Sequence, residues 1–152
     1  MRVSDHLKED FCIMDLQAQD KEAAIREIAG NLRASGKIVD GDNFIKAVIE
    51  REGLGSTGIG HNVAIPHART DTVKGFVIGF GRSKKGIEFN ALDGQPVTLI
   101  FLMGADLREL NFYLRVLAEL SKLLMSNSFR SELMEAQAPQ EIIKIIRKFE
   151  KS

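Results

Sequence analysis

The run Val97-Thr98-Leu99-Ile100-Phe101-Leu102 constrains the fold of this chain more than any other segment. It has strand length and β-branched and aromatic content, yet it does not alternate between apolar and polar residues. A strand with one wet face alternates, so a strand that does not is covered on both faces. Helices must therefore lie above and below it, and the flanking sequence supplies them. Asp20 reads as the N-cap of a helix over 21–34, with Ile25, Ile28, Ala29 and Leu32 on one face and Gly36 closing it in the left-handed conformation. A second helix over 42–51 turns Phe44, Ile45, Val48 and Ile49 inward and stops at Gly53. In the last third, Leu110, Tyr113, Leu114, Leu117, Leu120, Ser121 and Leu124 share a helical face. Ser128 reads as the cap of a short helix to Ala136. Pro139 fits the first turn of a final helix carrying Ile142, Ile143, Ile146 and Phe149.

Further strands are predicted at 11–16, 62–65 and 75–81, and at 87–89 between turns at Lys84-Lys85-Gly86 and Asp93-Gly94. Residues 1–152 are thus expected to form one α/β domain, a mixed sheet of about five strands with helices packed on it. Lys plus Arg equals Asp plus Glu, at 21 each, so the formal charge is zero. A nucleic-acid partner held through its phosphates needs a basic surface, which that balance does not supply. The single cysteine, Cys12, lies in an apolar run and reads as a small buried hydrophobe. The N-terminus lacks a signal-peptide apolar core and no apolar stretch reaches the length of a membrane span. The reading is a cytoplasmic chain without membrane insertion.

The chemistry points to Gly55-Ser56-Thr57-Gly58-Ile59-Gly60-His61-Asn62-Val63-Ala64-Ile65-Pro66-His67. A glycine-rich turn lets backbone N–H groups converge on an anion, and a histidine beside it can hold a phosphoryl group covalently. Pro66 stiffens the backbone before the His67 ring, and Arg51 and Arg69 flank the segment. Gly53 to Gly58 matches the dinucleotide pattern G-x-G-x-x-G, but it follows a helix and leads into a strand, the reverse of what that fingerprint requires. No Gly-Lys-Ser/Thr completes a Walker A loop. His61 and His67 have no carboxylate or thiol between them to build a zinc site. His67 as a strand-end ring bonded only to backbone is the structural alternative. His6 belongs to no motif and reads as a surface residue. Ile59, Val63 and Phe76 are candidates for a docking surface, with burial in the core as their alternative.

Glu50-Arg51-Glu52, Gly55-Ser56-Thr57-Gly58-Ile59-Gly60 and Ala64-Ile65-Pro66-His67 together resemble the enzyme IIA domain of the fructose–mannitol type, from the bacterial phosphoenolpyruvate-dependent phosphotransferase system. The likeness continues through Gly86-Ile87-Glu88-Phe89, Asp93-Gly94-Gln95-Pro96-Val97 and Leu114 to Ser121. The resemblance implies a mixed sheet sandwiched between helices, with His67 phosphorylated by the histidine phosphocarrier protein. It places Arg51, Ser56, Thr57 and Gly58 on the phosphate side. It implies no metal and no cofactor, because the donor is a phosphoramidate. Two positions depart from the pattern. Tyr113 stands where the family usually has a second active-site histidine, and His61 stands where asparagine or an acidic residue is common. His61, Tyr113 and Arg69 are therefore the candidate second-site residues. The onward partner implied is a sugar-permease component. The alternative is a regulatory protein, as in the nitrogen-related branch, favoured by Tyr113 and by a chain with no transporter segment attached.

Overall fold

The computed structural model describes residues 2–151. In chain order it has β1 (Cys12–Ile13), α1 (Lys21–Leu32), α2 (Gly41–Gly53), β2 (Gly58–Gly60), β3 (Val63–Ala64), β4 (His67–Arg69), β5 (Phe76–Ile87), β6 (Val97–Ala105), α3 (Leu110–Leu124), α4 (Asn127–Glu135) and α5 (Pro139–Glu150). The sheet is mixed and six-stranded, ordered β1-β5-β6-β3-β2, with β4 also paired to β6. β5 and β6 form a long antiparallel pair, with Phe80 opposite Phe101. β3 and then β4 run parallel along the other edge of β6, with Val63 opposite Leu99 and His67 opposite Met103.

The uniform apolar strand is β6, and the pleat divides its side chains between two cores. Leu99, Phe101 and Met103 pack with Val116, Leu120, Phe129, Leu133, Ile142 and Ile146 of the last three helices. Ile100 and Leu102 pack on the other face with Ile25, Ile28, Leu32, Phe44 and Val48 of α1 and α2. Two helical layers around one sheet explain why no polar residue interrupts the strand.

Local chemistry sets most element ends. Asp20 accepts from the Ala23 N–H at 2.8 Å and so caps α1. The α-helix ends at Leu32 and tightens into a 3₁₀ turn over Arg33–Ser35, before Gly36 reverses the chain at φ 72°. α2 starts earlier than predicted, at Gly41, because Asp40 caps it through the Asn43 N–H. Ser126, not Ser128, caps α4 by accepting from the Phe129 N–H. Pro139 occupies the first turn of α5 as expected.

Five sequence expectations change in three dimensions. The first strand shrinks to two residues because Glu9–Phe11 coils as a 3₁₀ turn. No turn separates 75–81 from 87–89; β5 runs unbroken to Ile87, with an irregularity in register between Arg82 and Ile87. Two short strands, β2 and β4, form inside the segment read as turn and short strand. The buried stripe of α3 is Tyr113, Val116, Leu120, Leu123 and Leu124, which leaves Leu110 42 % and Leu114 50 % exposed. That helix is apolar on more than one stripe, so its period alone does not say which stripe meets the sheet. His6, expected at the surface, is half-buried, with its ring edge-on to Phe76 and Phe112 at 5.4 and 5.0 Å.

Gly104 of β6 lets α2 approach the sheet. A Cβ there would lie 2.6 Å from Cε1 and 2.9 Å from Cζ of Phe44, a fully buried ring. Gly104→Ala is expected to lower stability by about 2 kcal/mol through overpacking. Denaturant titration would measure the change, and a value near zero would show that the two layers slide apart without cost.

Candidate functional site

β4 presents His67 because its backbone ladders onto β6, with the Met103 N–H bonded to the Pro66 carbonyl at 3.0 Å. The ring is half-buried. Its Nδ1 lies 2.7 Å from the Ile65 carbonyl oxygen. A carbonyl only accepts, so that contact assigns the proton to Nδ1 and leaves a lone pair on Nε2. Burial pushes the His67 pKa below 6.5, and the nearby Arg51 charge adds to the lowering; the Ile65 bond and Glu52 oppose it. The imidazole is therefore neutral near pH 7.

His67 shares an open depression with Arg51, Leu54, Arg69 and Tyr113. The Tyr113 ring stands edge-on to the imidazole at 5.6 Å between centroids. Burial pushes its phenol up to about 12, so it stays a neutral O–H donor. Arg51 leaves the last turn of α2 and donates to the Gly55 carbonyl at 2.8 Å. Arg69, two residues beyond His67 on the same strand, donates to the Leu107 carbonyl at 2.5 Å. Each guanidinium has five N–H donors, so one backbone contact anchors it and leaves others for an anion.

The glycine-rich turn does something other than expected. The Ser56 hydroxyl donates to the Phe89 carbonyl and accepts from the Gly58 N–H at 3.0 Å. Thr57 is buried, and both its N–H and its hydroxyl go to the Glu52 carboxylate. Gly58 is laid down in β2 opposite Ala64, with Ala91 so close that a Cβ would meet it at 2.8 Å. These donors are taken up in holding the turn against the sheet, so the expectation that they face phosphate gives way to a supporting role. His61 is likewise set apart. It is exposed at φ 56°, bonds through its N–H to Asp93, and lines a different depression with Asn127 and Arg130. The site therefore brings together His67, Arg51, Arg69 and Tyr113 but not His61.

Of the three docking candidates, Ile59 is exposed while Val63 and Phe76 are core. Exposed leucines absent from that trio do edge the site. Leu54 lines it, and the Leu107 carbonyl accepts from Arg69. Glu52, a buried carboxylate beneath the site, was also not singled out from its residues alone. Its signal in the sequence is an acidic residue in the last turn of a helix, where the macrodipole disfavours it. Among the described residues, no three of His, Cys, Asp or Glu come together as metal ligands, and no helix is long and apolar enough to cross a membrane. Burial pushes the Cys12 thiol up to about 12, in keeping with an inert core residue.

Comparison with known proteins bears directly on this arrangement. Residues 5–149 match the family model described as "Phosphoenolpyruvate-dependent sugar phosphotransferase system, EIIA 2". The chain is 38 % identical over 151 residues to the fructose-specific EIIABC component of Bacillus subtilis, covering 99 % of this chain and 24 % of that protein, so it spans about a quarter of that relative. It is 36 % identical over 122 residues to the fructose-specific EIIA component of Haloferax volcanii, covering 80 % of this chain and 79 % of that one. Its structure resembles the nitrogen regulatory protein IIA-Ntr of Neisseria meningitidis with a TM-score of 0.88, at 30 % identity, covering 95 % and 98 % of the two chains. A match over nearly the whole chain, joined to a sheet whose neutral histidine shares a depression with two arginines, places this protein in the EIIA 2 family of the phosphoenolpyruvate-dependent sugar phosphotransferase system.

Proposed function

We propose that this domain is a phosphoryl carrier in which Nε2 of His67 accepts a phosphoryl group from the phosphohistidine of the histidine phosphocarrier protein. The observation that carries the reading is the hydrogen bond from Nδ1 to the Ile65 carbonyl, which leaves the other ring nitrogen as the nucleophile. The Nε2 lone pair forms the new P–N bond as the donor's P–N bond breaks and its imidazole departs with the electron pair. His67 keeps its proton on Nδ1, donated in a hydrogen bond to the Ile65 carbonyl. Because the ring is already neutral, no general base is required. Charge builds on the equatorial phosphoryl oxygens, where the free donors of Arg51 and Arg69 and the Tyr113 hydroxyl stabilise it. The exposed Leu54 at the depression suits a brief apolar contact with a carrier that must leave.

Onward transfer has two readings. One is delivery to a sugar-specific permease component, in line with the fructose-specific relatives. The other is regulation, in which the phosphorylation state of His67 selects a protein partner. The extent of the match to the nitrogen regulatory structure supports it, as does a second-site residue that never becomes a cation. The test is incubation with phosphorylated phosphocarrier, read by intact mass. One added phosphoryl group is expected. Tyr113→Phe, which keeps the ring and removes the donor, is expected to slow acceptance roughly tenfold. Absence of any added phosphoryl group in the parent protein would end the reading. Addition of phosphorylated protein to permease membranes then separates the two onward routes, since sugar phosphate forms only in transport.

A further inference from the structure

Two charges in this fold sit where helix electrostatics disfavours them. Lys21 is the first residue of α1, at the positive end of its dipole, and Glu52 lies in the last turn of α2, at the negative end. They meet at 3.1 Å, with the Glu52 side chain 4 % and the Lys21 side chain 22 % exposed. The Lys21 ammonium also lies 5.3 Å from the centroid of the buried Phe89 ring. A buried carboxylate is costly unless paired and hydrogen-bonded, and this one is both. Departures from local rules of this kind concentrate at functional sites.

The Glu52 contacts lead to the imidazole. One carboxylate oxygen faces Lys21, and the other accepts from the Thr57 N–H at 3.1 Å and from the Thr57 hydroxyl. The Thr57 carbonyl accepts from the Ile65 N–H at 3.0 Å. The Ile65 carbonyl takes the Nδ1 proton of His67 at 2.7 Å, across the stiff Pro66. We propose that Glu52, clamped by Lys21, is a positioning residue for His67: through Thr57 and Ile65 it fixes the carbonyl that holds the ring as its Nδ1–H tautomer. A tautomer is set by the bond its other nitrogen makes, so loosening that carbonyl divides the ring between two forms, and one of them has no lone pair on Nε2. The kinetic consequence rests on the phosphoryl-carrier reading; the tautomer itself does not.

The experiment is a long-range ¹H–¹⁵N correlation of the histidine rings in the unphosphorylated protein, combined with phosphoryl transfer from the phosphocarrier. Parent protein is expected to show His67 as one tautomer, protonated on Nδ1. Glu52→Gln and Thr57→Val are expected to give a mixture and to slow phosphoryl acceptance by about tenfold. Lys21→Met is expected to move both readouts the same way by a smaller amount, and Lys21→Arg to restore them. If Glu52→Gln and Thr57→Val fold and keep the parent tautomer, the relay is wrong. Should both fail to fold, Lys21→Met decides, and an unchanged tautomer there overturns the proposal equally. A parent protein that takes no phosphoryl group would remove the carrier reading, while the tautomer comparison still judges the relay.

Discussion

His67→Ala is expected to abolish phosphoryl acceptance while leaving the fold in place. A total loss follows from the proposed role of His67 as the nucleophile, since no neighbouring group offers a neutral ring nitrogen; Tyr113 is held as a phenol up to about 12. The fold survives because β4 is tied to β6 through its backbone. What the substitution removes is the edge contact with Tyr113 and one bond to Ile65, a cost of about 1 kcal/mol. Intact mass after exposure to phosphorylated phosphocarrier should show the parent labelled and the variant not. Equal labelling of both would move the acceptor elsewhere. Acceptance by the parent should also depend on pH in a set direction. The neutral ring reacts, and burial holds its pKa below 6.5, so the rate should be flat through neutrality and fall only at a pH below that of a free imidazole. Stability follows the same sign. The unfolded state binds the proton more tightly than the folded one, so the contribution is complete above about 6.5 and is lost as pH falls toward the folded value. Burial lowers His6 too, so it adds in the same direction, and His67→Ala should remove only part of the acid sensitivity.

Arg82→Met is expected to be the most destabilising single change away from the site, by about 4 kcal/mol. Arg82 is 3 % exposed, on β5. Its guanidinium donates to the carbonyls of Met14 at 3.1 Å, Leu133 at 2.9 Å, Met134 at 3.1 Å and Ala136 at 2.7 Å. Three of those acceptors are where α4 ends, with carbonyls that have no partner in the helix. One planar cation therefore joins β5, the chain after β1 and the end of α4, and balances the negative end of the α4 dipole. Methionine fills similar volume but leaves four carbonyls without a donor. At roughly 2–4 °C per kcal/mol for a chain of this size, calorimetry should find the melting temperature down by about 12 °C. Arg82→Lys should rescue little, since an ammonium cannot span that fan of acceptors. A loss under about 1 kcal/mol for Arg82→Met would mean that water replaces the guanidinium.

Helices and central strands were legible where one force dominates. Asp20, Gly36 and Pro139 mark helix ends by short-range chemistry, and each acts as read. Boundaries slipped where two residues could serve, as with Ser126 against Ser128. β2 and β4 were not legible because strands of three residues are held by partners elsewhere in the chain, and no local pattern announces a neighbour. The exposed stripe of α3 and the burial of His6 were decided in the same way, by what the sheet and the Phe76 and Phe112 rings cover.

The apolar patterning alone determined a layered α/β domain, and the Pro66-His67 pair with its arginines pointed to one depression as the candidate site. Both follow from forces that act along the chain, hydrophobic periodicity and backbone stiffness. Tertiary structure decided which groups meet the imidazole. It turned the Ser56, Thr57 and Gly58 donors inward, moved His61 to another depression, and set Tyr113 against the ring. Side-chain direction at those positions depends on strand register and on the approach of α2 and α3, which are long-range quantities.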